Sequence, residues 1–213
     1  MKKLYQEDLK FIACVTMLVD HIGAVFFPRI TLLRCIGRIA FPIYAFLLVE
    51  GERHTRSPWK YALRLAVAAI LAELPFDLMV FGQWKWSNSS VMVTLLLSFL
   101  ALRLGRKDEM WKVLSLVAAC VLGLWLHSDY GYYGVMTVMI FAWLPEKWLL
   151  QGIAIAGLFA SMGRISIVML AGLAVIPIAC YNGKKRTNSK AVQWVFYLFY
   201  PVHMLLLWWL STI

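Results

Sequence analysis

The chain is 213 residues long, 62% hydrophobic and only 15% charged, where a soluble domain has roughly 45–50% apolar and ~25% charged residues. That balance, with a mean hydropathy of +0.73, excludes an ordinary water-soluble domain. The net charge of +10 would suit a nucleic-acid binder, but the basic residues gather in short clusters between long apolar runs. Membrane topology accounts for such clusters, and a nucleic-acid partner is not expected.

The first apolar run, Leu9–Phe27, lacks a small-residue cleavage site and is read as a retained span. It opens with Lys10 and carries Asp20 and His21 in its far half. The second, Thr31–Glu50, carries Arg34 and Arg38 one turn apart on one face, and Arg53, Arg56 and Lys60 follow it. The third, Lys60–Phe81, ends with Glu73 and Asp77 at the same spacing, with Pro75 between them. Pro75 frees a backbone carbonyl that a neighbour can bond. Further runs are Ser89–Leu104, Trp111–His127, Tyr132–Leu144, Trp148–Ser161, Ile165–Tyr181 and Trp194–Leu210. His127, Asp129 and Tyr130 stand at the end of the fifth; Tyr200 and His203 flank Pro201 in the ninth, on one face. Cys14, Cys35, Cys120 and Cys180 are scattered, with no pairing that suggests a metal.

Spans of this length in lipid must be helical, because every backbone group has to be satisfied internally. The expected fold is therefore an all-α integral membrane protein. It forms one domain over residues 1–213, a polytopic bundle of about nine transmembrane helices with a cytoplasmic N-terminus. Charge counting supports that orientation. Fifteen Lys and Arg fall on the cytoplasmic side and three, Arg29, Lys85 and Arg164, on the other. Tryptophans and tyrosines such as Trp84, Trp86, Trp111 and Trp148 mark span ends as interfacial anchors.

Ionisable residues inside spans are costly and mark function by default. Asp20, His21, Arg34, Arg38, Glu73, Asp77 and His203 all fall between mid-membrane and the outer surface in this topology, so they are expected to converge. His21 lies eleven positions after Lys10. That is about 16 Å along a helix and about 20° from facing the same way. A phosphorylated group held by Lys10 at the cytoplasmic surface could therefore extend a thin arm to His21. The pantetheine arm of coenzyme A has about that reach.

The stretches LKFIACVTMLVDHIG, GRIAFPIYAFLLVEGERHTR, YALRL…AELPFDL and YPVHMLLL resemble the TraX family, named for the F-pilin acetylation protein of conjugative plasmids. That family is similar to the wider group of transmembrane acyltransferases, which includes acyltransferase family three and the heparan glucosaminide acetyltransferase. In acyltransferase family three an Arg/Lys-x10-His motif lies in the first span and an Arg-x-x-Arg motif on the cytoplasmic side. Lys10 with His21, and Arg53 with Arg56, match those patterns. The resemblance implies a multi-pass protein of the inner membrane that moves an acetyl group from acetyl-CoA, without a metal, to an amine or hydroxyl acceptor. It implies His21 as the catalytic residue and Lys10, Arg53 and Arg56 near the acyl-CoA. Asp20, Glu73 or Asp77 would orient the imidazole, Arg34 or Arg38 would meet the oxyanion or pair with those acids, and Tyr200 and His203 would complete the acceptor pocket. A general-base route and an acetyl-histidine route both remain open. So do two other functions: a small proton-coupled transporter, whose relay needs the same residue types, and a non-catalytic membrane assembly factor.

Overall fold

A computed structural model describes residues 3–85, 88–161, 168–187 and 189–213. Lys2, Trp86, Arg164 and the first residues of the eighth expected span lie outside the described residues. The described residues contain helices and no strands, only two isolated bridges. The first expected span is α1 (Gln6–Val25), whose start is fixed by Asp8 accepting the Tyr5 backbone N–H at 2.8 Å. The second expected span is broken into α2 (Thr31–Gly37) and α3 (Ala40–His54). At the break, Arg38 N–H is shared between the Arg34 and Cys35 carbonyls, and Ile39 N–H reaches Ile36, all at 3.3 Å. The turn is thus tightened rather than opened.

The third to seventh expected spans are helices with ends shifted by a few residues: α4 (Pro58–Phe81), α5 (Val91–Leu104), α6 (Glu109–Trp125), α7 (Gly131–Trp143) and α8 (Trp148–Ala160). Pro58 starts α4, where its missing N–H costs nothing, and Asp108 caps α6 through the Trp111 N–H at 2.8 Å. The described part of the eighth expected span is a 3₁₀ turn over Val168–Ala174 leading into the short α9 (Val175–Ala179). A side chain on Gly172 would sit 2.7 Å from the Gly152 carbonyl, so this turn lies backbone-to-backbone on α8. The last helix is α10 (Lys190–Thr212).

Six elements close a ring by successive contacts: α1 on α10, α10 on α4, α4 on α5, α5 on α7, α7 on α3, and α3 back on α1. Helix α6 packs outside on α5 and α7, and α8 outside on α7. Leu9, Ala13, Ile43, Leu48, Phe99, Val138 and Phe141 fill one side of the ring with almost no exposure. Outward faces remain apolar: Trp59, Leu63 and Ile70 of α4, Val113, Val117 and Trp125 of α6, and Trp194, Val202 and Trp209 of α10 are all exposed. Among the described residues two helices, Thr31–His54 and Ala191–Thr212, are long and apolar enough to cross a membrane, and four shorter helices are apolar.

Two sets of loop contacts fix the ends of the ring. At the N-terminal end of α1, Leu4 N–H donates to Cys180 and Asn182 N–H to Leu4, each at 2.9 Å, and Gln6 N–H donates to Lys184 at 3.0 Å. Arg186 then pairs with Asp8 at 3.0 Å. At the other end, Asp129 N–H donates to Ser89 at 2.9 Å, tying the α4–α5 connection to the α6–α7 turn.

Candidate functional site

The ring encloses a cavity of about 850 Å³ that runs past both Lys10 and His21. Its wall at the N-terminal end of α1 includes Glu7, Lys10, Glu50, His54 and Lys185; at the C-terminal end it includes Asp20, His21, Arg34, Arg38, Asp129 and Tyr130. Met17, Tyr44 and Tyr200 lie along it between them. One face of α1 thus serves both ends, as the 3.6-residue period requires.

At the C-terminal end Asp20 holds two arginines. Arg34 Nη1 donates to Asp20 Oδ2 at 2.9 Å and to the Asp20 carbonyl at 3.2 Å, and Arg38 Nη2 lies 3.4 Å from Oδ1. Gly37 makes this possible: a Cβ there would fall 2.1 Å from the Asp20 Cβ. Any larger residue pushes α2 off α1 and pulls the guanidinium groups away. Arg38 keeps its Nε–H buried without a partner among the described residues. Asp129 opens to the cavity while protein surrounds it, and burial pushes its carboxyl up, opposed by the attraction of Arg38.

His21 does not meet a carboxylate. Its Nδ1 lies 2.7 Å from Nε2 of His203, the ring planes are within 3° of parallel, and the centroids are 5.0 Å apart. These are two rings joined edge to edge, nitrogen to nitrogen. His203 Nδ1 lies 2.6 Å from the Phe199 carbonyl oxygen, and the Phe199 ring stacks on the imidazole. His203 is 4% exposed and stands behind His21, not on the cavity wall, whereas Tyr200 does face the cavity.

Glu73 and Asp77 are placed elsewhere. Glu73 accepts from the Ser90 N–H at 3.0 Å and hydroxyl at 2.7 Å, and Asp77 accepts from the Lys85 N–H at 2.9 Å. They hold down the α4–α5 connection, and neither lines the cavity. Arg53 turns outward to the Ala142 carbonyl at 3.2 Å with Glu50 at 3.7 Å, and Arg56 is exposed; neither reaches the cavity. Lys10 is joined there instead by Lys185, carried in by the pairing of residues 4–6 with 180–184. The run Lys184-Lys185-Arg186 is visible in the sequence only as topology-setting charge, and nothing in the helical period singles out Gly37. Among the described residues no three metal-binding side chains converge.

Residues 5–211 match the family model described as TraX protein. The chain belongs to the TraX family. It is 31% identical, over 94% of its length and 93% of the relative's, to a "Probable fimbrial assembly protein FimC, serogroup H1" of Dichelobacter nodosus. It is 30% identical to an "Uncharacterized protein RP591" of Rickettsia prowazekii (strain Madrid E), over 44% of its length and 36% of that protein's. No solved structure matches. The match to the TraX model takes in both Lys10 and His21 on the cavity wall and His203 behind it.

Proposed function

We propose that this TraX-family chain is a polytopic inner-membrane acyltransferase that moves an acetyl group from cytoplasmic acetyl-CoA to an amine or hydroxyl acceptor. The apolar outward faces of α4, α6, α8 and α10 support immersion in lipid, and the bias of basic residues supports a cytoplasmic N-terminus. The observation that carries the reading is the single cavity shared by Lys10 and His21. Lys10 and Lys185 supply positive charge at its cytoplasmic mouth for the phosphates of coenzyme A. The acyl arm follows α1 past Met17 toward the imidazole.

In this reaction the acceptor nitrogen or oxygen attacks the thioester carbonyl as His21 takes the acceptor's proton. The carbon–sulfur bond then breaks, and the thiolate of coenzyme A leaves with the proton from His21. A positioned base contributes typically about 10²–10⁴-fold. Arg38, on the cavity wall beside His21, supplies positive charge for the developing oxyanion. Asp20 fixes the two arginines rather than the imidazole.

The name of the Dichelobacter nodosus relative favours a second reading, a membrane assembly factor without chemistry. Acetyl-CoA turnover by purified protein in nanodiscs separates the two. Free thiol release is followed with a panel of amines and alcohols, alongside coenzyme A binding. Release that requires His21 and disappears in His21→Ala is the expected result. Absence of coenzyme A binding sinks the acyltransferase and leaves the assembly factor or a permease.

A further inference from the structure

The contacts of His203 constrain where protons can sit. The Phe199 carbonyl oxygen can only accept, so the 2.6 Å contact requires a proton on His203 Nδ1. In the uncharged ring the His203 Nε2 then carries a lone pair. The 2.7 Å contact to His21 needs one proton between the nitrogens, and for an uncharged pair that proton belongs to His21 Nδ1. Among the described residues, the ring nitrogen of the pair left without a protein partner is His21 Nε2, on the ring that lines the cavity.

From this geometry we infer that His203 is a positioning residue, which with the Phe199 carbonyl fixes His21 as the Nδ1–H tautomer and presents a bare Nε2 to the cavity. The inference rests on the reading of His21 as the base only for its catalytic consequence; the tautomer stands on the contacts alone. Free imidazole side chains prefer the opposite tautomer, with the proton on Nε2. Without His203 the base nitrogen facing the acceptor is therefore mostly blocked. The near-parallel rings and the burial of His203 against Phe199 hold the imidazole in plane, so little reorganisation is needed at each turnover.

The arrangement also gives the proton a path that balances. When Nε2 of His21 takes the acceptor's proton, the Nδ1 proton can pass to Nε2 of His203, whose Nδ1–H keeps its bond to Phe199. The shift reverses when Nε2 of His21 protonates the departing thiolate. No proton leaves the pair, and positive charge is spread over two rings instead of one. The orienting part of this role is that of the carboxylate in a serine hydrolase triad, whose removal leaves the geometry intact but gives the wrong tautomer; unlike that carboxylate, His203 also takes the proton.

The test is nitrogen NMR on full-length protein in nanodiscs with 15N-labelled histidine. The chain has four histidines, so single substitutions assign the signals. The expected wild-type spectrum shows protonated Nδ1 and bare Nε2 for both His21 and His203. In His203→Leu the His21 signals move toward the Nε2–H tautomer; in His203→Gln, whose amide oxygen can accept from Nδ1, they stay. In turnover, His203→Leu lowers kcat about 10²-fold or more with little change in KM for acetyl-CoA, and His203→Gln recovers most of it. A wild-type His21 with its proton on Nε2 overturns the inference, whether or not the variants fold. The predicted tautomers without coenzyme A binding keep this inference and discard the acyltransferase.

Discussion

The two ends of the cavity hold charge in opposite ways. At the C-terminal end of α1 both carboxylate oxygens of Asp20 meet a guanidinium group, and the imidazole of His21 on the wall is bonded to that of His203 behind it. At the N-terminal end Lys10 and Lys185 line the same cavity, yet neither forms an ion pair among the described residues. The carboxylate of Glu50, on the same cavity wall, engages Arg53 and His54 at 3.7 and 3.8 Å. A preorganised site resists any shift of its backbone, because its groups are placed to within a fraction of an ångström. A mouth with unpaired cations acts through its field, which tolerates movement but is screened by salt.

The contrast breaks most sharply at Gly37. Gly37→Ala changes no charge, yet its methyl group would overlap the Asp20 Cβ at 2.1 Å. Because both atoms are fixed by backbone, relief requires α2 to move. The expected cost is about 3 kcal/mol, the upper part of the usual range for overpacking. Thermal unfolding in detergent measures it. Gly157→Ala on α8 is the control, since nothing lies within 4 Å of a methyl group there. Equal melting temperatures for the two variants would mean that α2 is not locked to α1, and the division into a rigid and a loose end would fall.

This difference also explains what could be read from the sequence. The helical segments were legible because a run of about 20 apolar residues has few other uses, and the α1 face joining Lys10 to His21 follows from helical geometry alone. The partners were not legible. Arg34, Arg38, Glu73 and Asp77 share similar depth and spacing, yet the arginines meet Asp20 and the acids meet backbone N–H groups of the α4–α5 connection. Which of these occurs depends on where loops fold back, and hydropathy carries no record of that. The break after Gly37 was hidden because α2 and α3 together read as one apolar run. The Arg53-x-x-Arg56 pattern is present, but Arg53 is drawn aside by the Ala142 carbonyl, and Lys185 arrives from far along the chain.

A smaller effect is expected at the mouth. Replacing Lys10 and Lys185 together by Ala should weaken coenzyme A binding about tenfold, roughly 1.4 kcal/mol, while the melting temperature stays near that of the wild type. The weakening should shrink as salt rises, because the lost term is electrostatic. Titration calorimetry at low and high salt reads both features. A double variant that binds normally but unfolds early would reverse the assignment, making the mouth structural.

The smallest effect concerns Asp129, which stands beside the rigid end without a short ion pair among the described residues. Burial raises its carboxyl above the ordinary value of 3.8 and the Arg38 attraction only partly offsets this. The folded chain therefore keeps the proton to higher pH than the unfolded chain does. The stability linked to this group is fully present below the unfolded value and is lost as pH rises through the folded one. Asp129→Asn removes that loss. The variant should match the wild type in acid and become modestly more stable as pH climbs above the carboxyl range, as melting temperature against pH would record. If Asp129→Asn is instead less stable near neutral pH, the attraction to Arg38 outweighs burial, and Asp129 joins Asp20 as a carboxylate that holds the arginines in place.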